Sequence, residues 1–320
     1  MRPVVVVDRD IPFLEGVLEP WFEVRYLPGR VIGPTDVRDA AALLIRTRTR
    51  CNAALLDGSA VRFIATATIG TDHIDRDYCA AHGIAVASAP GCNAAAVAQY
   101  VRVALQALSL DRPGATLGVV GVGHVGSLVA ESGRRAGMCV LLSDPPREVA
   151  EGPTGFTPLP ELLASSDVVT LHIPLWPENR DFADAAFFAA MRPGASFINA
   201  SRGEVVDEPA LLAARSRLDR VVLDVWKNEP NINLDLLAAA DIATPHIAGY
   251  SIQGKINGTQ AVVRALAAHF SIPPLRAFTV SGITLPQESY DIWRDDKALR
   301  SNPSSFESLR SHYSYRNDQL

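Results

Sequence analysis

The sequence predicts an α/β protein built of two doubly wound parallel sheets, with a short polar segment at its C-terminal end. Three observations lead there. Short apolar runs alternate with helical stretches as far as residue 270. The runs lie far enough apart to leave room for crossover helices, which parallel strands require. The alternation also falls into two series, broken at Arg112-Pro113-Gly114, and the second opens on a glycine-rich turn.

In the first series Val4–Val7, Ala42–Ile45, Phe63–Ala65 and Ile84–Ala87 read as strands. Residues 93–110, rich in Ala, Leu and Gln, read as a helix. In the second series Leu117–Val120, Val140–Ser143, Val168–His172, Ser196–Asn199, Val221–Val225 and Ile242–Ala243 make six strands. That number with intervening helices matches a nucleotide-binding sheet of the Rossmann type. Prolines 145, 146, 158 and 160 punctuate the connection after its second strand, and Gln253–Phe270 reads as one more helix. Beyond Ser271-Ile272-Pro273-Pro274 the chain turns polar, with scattered aromatics. Too short to build much of a core alone, it is expected to pack on the main body or on a second subunit. The expected domains are residues 1–92 with 247–270 for substrate, residues 93–246 for a dinucleotide, and a C-terminal segment from 271 to 320.

Composition removes several classes of function. The net charge of −5, from 30 basic and 35 acidic residues, comes without a like-charge block. No nucleic-acid or membrane partner is therefore expected. No run approaches the roughly 18 apolar residues of a membrane span. The opening MRPVVVVDRD reads as a first strand, not a signal peptide. The four cysteines have neither CxxC nor zinc-site spacing, which points to a reduced, cytoplasmic protein without a structural metal.

The turn Gly121-Val122-Gly123-His124-Val125-Gly126 follows the strand TLGVV and precedes a helical stretch. In that setting Gly121 permits the tight turn, Gly123 lets backbone approach a pyrophosphate, and Gly126 allows close packing of helix on strand. The helix N-terminus offers free N–H groups to the phosphates. Asp144, 18 residues beyond Gly126, ends the next strand. A carboxylate there accepts from the ribose hydroxyls and repels a 2′-phosphate, which favours NAD over NADP. Arg147 nearby blunts that repulsion. Without their context the glycines would mark an ordinary turn.

Three phrases carry the chemistry: SRGEVVD (201–207), DVWKNEP (224–230) and PHIAGY (245–250). They place Arg202, Glu229 and His246 in order, 27 and then 17 residues apart. All three follow predicted strand ends, where open α/β sheets place ligands. Histidine exchanges protons near neutrality, a carboxylate orients it and stabilises the imidazolium, and a planar guanidinium grips a carboxylate through two bonds. Taken singly, such residues are most often surface or core groups. His172, which also ends a strand, is the best decoy.

With these phrases the chain resembles the D-2-hydroxyacid dehydrogenase family over about residues 40–270. The resemblance implies NAD as cofactor, His246 as acid/base, Glu229 as its partner and Arg202 as substrate anchor. It also places Asp224 near the nicotinamide, and Gly121, Gly123, His124, Val125, Gly126, Asp144 and Gly249 at the cofactor. Where the family often has His-Thr-Pro, this chain has His172-Ile173-Pro174, so a threonine hydroxyl near the cofactor is missing.

Narrower phrases, among them IRTRTR, ATATIGTDHID, HIAGYSIQGK and WRDDKALR, resemble members that oxidise a phosphorylated hydroxy acid and form homodimers through a C-terminal domain. The segment here is short for that domain. The resemblance implies substrate contacts from Thr47, Thr68 and Tyr250. If IRTRTR is extended, Arg46, Arg48 and Arg50 share one face, and Arg46 or a C-terminal residue neutralises the phosphate. The bland alternative is a solvated row of arginines. Rival functions are a dehydrogenase of the 3-phosphoglycerate or glyoxylate type, and an NAD-sensing co-repressor-like binding protein.

Overall fold

In the computed structural model, which describes residues 2–319, the chain divides into two units. Of the described residues the first comprises 2–93 and 251–286, the second 94–250 and 287–319. The polar C-terminal stretch is thus shared: residues 271–286 belong to the first unit and residues 287–319 to the second.

The first unit holds β1 (Val4–Asp8), β2 (Glu23–Leu27), β3 (Ala40–Ile45), β4 (Phe63–Thr66) and β5 (Ala85–Ala87). All pair in parallel, in the order β2-β1-β3-β4-β5. Val5, Val6 and Val7 are all buried, as consecutive residues are in a parallel sheet covered on both faces. The sequence reading missed β2. Its EVRYL places Glu23 and Arg25 on a half-exposed edge, where Arg25 pairs with Glu23 and Asp39. Such an edge lacks the apolar run that marks an interior strand. The helix Ile252–His269 packs on this sheet through Val262, Val263 and Leu266.

The second unit holds β6 (Thr116–Val120), β7 (Cys139–Ser143), β8 (Val168–Leu171), β9 (Ser196–Asn199), β10 (Val221–Leu223) and β11 (Ile242–Ala243). They too are parallel, in the order β7-β6-β8-β9-β10-β11. The strand order reverses at β6, so the C-terminal end of β6 is the switch point where such sheets bind ligands. The glycine-rich turn begins there. The helix Ala94–Ala107 covers one face with Val97, Tyr100 and Val101. The other face packs against Phe187, Phe188, Trp226 and, from the C-terminal stretch, Leu299 and Phe306.

WRDDKALR forms part of the helix Ile292–Ser301 beside the edge strand β11. Asp296 accepts the Ala243 N–H at 2.7 Å, while Arg300 donates to Leu237 O and Ala240 O, each at 2.7 Å. Asp296 thus occupies an N–H of an edge strand that would otherwise invite another strand, while Arg300 takes carbonyls at the C-terminal end of the helix Leu234–Ala239.

Candidate active site

Two loops at the C-terminal ends of β10 and β11 bring Glu229 and His246 together. His246 Nδ1 lies 2.8 Å from Glu229 Oε2, and Glu229 Oε1 accepts the Trp226 N–H at 3.1 Å. His246 has φ 57°, left-handed backbone that a non-glycine residue holds at a cost of about 1–3 kcal/mol. Asp224 is what holds it there. Its carbonyl accepts the His246 N–H at 2.7 Å, and its carboxylate accepts Ile247 N at 2.8 Å, Ala248 N at 2.9 Å and Thr244 Oγ1 at 2.6 Å. Burial pushes the Asp224 carboxyl above its usual range, against the opposing pull of His246 and these donors. Glu229 moves the other way. Burial would raise it, but the charge and hydrogen bond of His246, then Arg310, outweigh burial and hold it below the usual carboxylate range. The pair is thus built around a carboxylate that stays ionised, with a ring fixed through one nitrogen and its other nitrogen available for proton transfer.

Arg202 follows β9 in a turn tied by Asn199, which donates to Arg202 O at 2.9 Å and accepts the Ser201 N–H at 3.0 Å. The Arg202 Nη1 donates to Ser201 O at 2.8 Å. This turn presses on the Glu229 loop through Gly203: a Cβ there would stand 2.0 Å from the Trp226 carbonyl carbon. Glycine is required by the close approach.

The cofactor turn fits a dinucleotide. A Cβ on Gly126 would lie 1.9 Å from Gly121 O, whereas one on Gly123 would meet nothing within 4 Å. Gly123 and His124 are exposed at the start of the helix His124–Arg135, and no side chain caps that end. Among the described residues the helix start is thus exposed and uncapped by side chains, as a bound pyrophosphate needs. Val125 is half-buried in the same turn. Asp144 accepts Val122 N at 2.7 Å and caps the next helix through Arg147 N at 3.1 Å. Arg147 donates to Val122 O at 2.6 Å and pairs with Glu151.

His172 is poorly suited to carry a proton near neutrality. Burial pushes it down to about 3, and its Nε2 lies 3.0 Å from Thr170 Oγ1.

Thr47, Thr68 and Arg46 lie in the first unit, Gly249 and Tyr250 in the second. IRTRTR is not extended: β3 stops at Ile45, and residues 46–50 turn, with Thr49 N donating to Arg46 O at 3.3 Å. The expected common face of Arg46, Arg48 and Arg50 is corrected accordingly. Thr49 Oγ1 donates to Gly29 O at 2.8 Å and pins the turn. Arg46 forms ion pairs with buried Asp8 at 2.9 Å and with Asp10 at 2.5 Å. Thr68 Oγ1 lies 2.7 Å from Thr66 Oγ1. Tyr250 packs edge-on against Tyr313, with ring centroids 5.8 Å apart.

The sequence reading missed two arginines of the C-terminal stretch. Arg310 Nη1 lies 3.5 Å from Glu229 Oε2. Buried Arg316 donates to Ile247 O at 3.0 Å, to Tyr250 O at 3.2 Å and to Ala248 O, and so braces the loop that follows His246. Their only signal was two cations in a polar tail. A separate cavity of about 370 Å³ borders Ala98, Arg102, Leu128 and Asp318, and none of the expected site residues lines it.

Residues 93–248 match the family model described as D-isomer specific 2-hydroxyacid dehydrogenase, NAD binding domain. An erythronate-4-phosphate dehydrogenase of Bacteroides fragilis is 45% identical, covering 98% of this chain and 97% of the relative. One from Ectopseudomonas mendocina is 41% identical, covering 98% and 92%. The crystal structure of D-lactate dehydrogenase from Aquifex aeolicus, in complex with NAD and lactic acid, aligns with TM-score 0.72 at 26% identity, covering 88% of this chain and 100% of that one. The chain belongs to the D-isomer specific 2-hydroxyacid dehydrogenases, in the branch that contains the erythronate-4-phosphate dehydrogenases.

Proposed function

We propose that the chain oxidises 4-phospho-D-erythronate to 3-hydroxy-2-oxo-4-phosphooxybutanoate with NAD, a step in pyridoxal phosphate synthesis. The observation that carries the chemistry is the His246–Glu229 pair at 2.8 Å, which follows β10 and β11 at the same C-terminal edge of the parallel sheet from which the glycine-built turn leaves β6. The choice of acid rests on the near full-length likeness to relatives named for it.

Bound NAD supplies the nicotinamide ring that accepts the hydride from C2. His246 takes the C2 hydroxyl proton through its Nε2, while Glu229 stabilises the resulting imidazolium. Arg202 grips the carboxylate and polarises the developing carbonyl. Asp224 keeps His246 in its left-handed turn and lies close to the nicotinamide end of the cofactor. Gly121, Gly123, His124, Val125 and Gly126 receive the pyrophosphate, Asp144 the adenosine ribose, and Gly249 contributes backbone to the cofactor. Thr47, Thr68 and Tyr250 contact the substrate. Arg46, already committed to Asp8 and Asp10, presents the phosphate with only part of its charge. A cytoplasmic homodimer completes the proposal. Among the described residues no helix is long and apolar enough to cross a membrane, and sedimentation of the purified chain tests the dimer.

The deciding assay supplies purified chain with NAD, a 2-oxo acid acceptor, and 4-phosphoerythronate, 3-phosphoglycerate or glycolate. Preference for 4-phosphoerythronate is expected. Turnover of another acid alone overturns the substrate, and no turnover of any acid with NAD still binding favours a sensing role.

A further inference from the structure

We propose that Arg310 is a positioning residue of the acid–base pair: from the helix Phe306–Ser311 it shares the Glu229 carboxylate with His246 and limits how strongly that carboxylate favours the imidazolium. The inference rests on the reading of His246 as the proton acceptor.

The geometry is asymmetric. Glu229 Oε1 is taken by the Trp226 N–H, so Oε2 alone faces both cations, His246 Nδ1 at 2.8 Å and Arg310 Nη1 at 3.5 Å. The Arg310 side chain is only 12% exposed, and its guanidinium lies 5.9 Å from the centre of the Phe306 ring. Its Nε is buried without a hydrogen-bond partner among the described residues. A purely structural arginine would be expected to satisfy that donor. The ionisable groups around it are Glu229, Asp224, the Tyr250 hydroxyl and, 3.9 Å away on its own helix, Glu307. Burial works against the guanidinium charge, but these acidic groups outweigh it, so Arg310 is a permanent cation.

A permanent cation beside Glu229 does two things. It keeps the carboxylate ionised when the histidine is neutral, which preserves the ring's orientation. It also repels the imidazolium, which eases return of the proton and keeps more of the histidine neutral, the form that oxidation needs. A carboxylate acting alone would hold the imidazolium too firmly and leave less free base.

The test is the pH dependence of kcat/KM for oxidation of 4-phosphoerythronate by the full chain, its Arg310→Met and Arg310→Lys variants, and His246→Ala. Loss of the cation in Arg310→Met is expected to move the acidic limb upward by about one pH unit, the low end for a charge at this range. Activity below the limb then falls about tenfold, with little change on the alkaline side, and Arg310→Lys restores most of the limb. A limb that stays in place, or a loss uniform across pH, overturns the inference. If Arg310→Met does not fold, Arg310→Gln is read in its place against the same outcomes. The two readings fail separately. Near-normal turnover by His246→Ala removes the acid–base assignment itself, whereas an inactive His246→Ala beside an unmoved Arg310→Met profile removes only the role of Arg310.

Discussion

Asp224 holds His246 through the backbone: its carbonyl accepts the His246 N–H at 2.7 Å, and its carboxylate accepts the next two N–H groups at 2.8 and 2.9 Å. The residue expected at the nicotinamide is also the frame of the proposed catalytic loop. Its position at the end of the interior strand β10 explains why it is only 1% exposed.

Asp224→Ala leaves two buried N–H groups and the Thr244 hydroxyl without their acceptor. Each unsatisfied group costs about 1–3 kcal/mol, so stability is expected to fall by about 3 kcal/mol. Release of the left-handed turn displaces the imidazole, and a misplacement of about 1 Å costs on the order of a hundredfold in kcat. Urea melts and kcat measured together check this. A variant with parental stability would show that the latch contributes nothing.

Glu229 gives a signed pH dependence. Its carboxyl is held below the ordinary 4.5, with burial opposed by His246 and Arg310. A depressed carboxylate contributes stability that is fully present above its unfolded value and is lost as pH falls through the folded one. Glu229→Gln removes that contribution. The stability gap between parent and variant should therefore shrink as pH falls below the ordinary 4.5. Asp224 is shifted in the opposite direction but is common to both proteins, so it cancels in the difference. A gap that widens on acidification would contradict the assignment of charge to Glu229. Turnover at neutral pH should also fall, because a neutral amide stabilises the imidazolium less than a carboxylate does.

Much of this site is legible in the sequence, because its parts sit where local chain and chemistry agree. Gly121, Gly123 and Gly126 join a strand to a helix, and Arg202, Glu229 and His246 each follow a strand. What the sequence concealed depends on contacts distant along the chain. Arg310 and Arg316 come from a polar stretch and reach residues 81 and 68 positions away at Glu229 and Ala248. No periodicity records such pairs. β2 was hidden because an edge strand needs little apolar sequence. The arginine row was misread because alternation assumes a strand, and β3 had already ended at Ile45.

Gly203→Ala tests whether the Arg202 turn must press on the Glu229 loop. The new methyl would meet backbone at Trp226 and Lys227, not the flexible end of a side chain. Overpacking of this kind costs about 1–3 kcal/mol or more. The expected outcome is a lower melting temperature together with a raised KM, as both loops move apart. A variant matching the parent in melting temperature and KM would show that the turn relaxes without consequence.

Asp144, proposed to receive the adenosine ribose, is expected to set the cofactor preference. Two like charges about 4 Å apart near a protein surface repel by several kcal/mol, so the carboxylate disfavours a 2′-phosphate. Asp144→Ser should raise kcat/KM for NADP by about tenfold or more, while NAD use weakens through loss of the ribose acceptor. Arg147, which already donates to Val122 O and pairs with Glu151, is less available to receive the phosphate than its place in the sequence implies. Steady-state kinetics with both cofactors decide. An unchanged ratio would place the discrimination elsewhere.

Arg316 is where the C-terminal stretch acts on the site. Only 5% exposed, it donates to Ala96 O, Ile247 O, Ala248 O and Tyr250 O and to the Gln99 side chain. Its guanidinium also lies 4.1 Å from the centre of the Tyr290 ring. Only a planar fork of five donors reaches so many acceptors at once. A lysine offers three donors at a single point and cannot stack in the same way. Arg316→Lys is therefore not conservative here. It strands buried carbonyls at about 1–3 kcal/mol apiece, less whatever the ammonium recovers. The net loss should be about 2–4 kcal/mol, measured by denaturant unfolding. Because three of those carbonyls belong to the loop directly after His246, kcat should fall with stability. Loss of stability at full kcat would mean that the tail supports the fold but does not position the histidine.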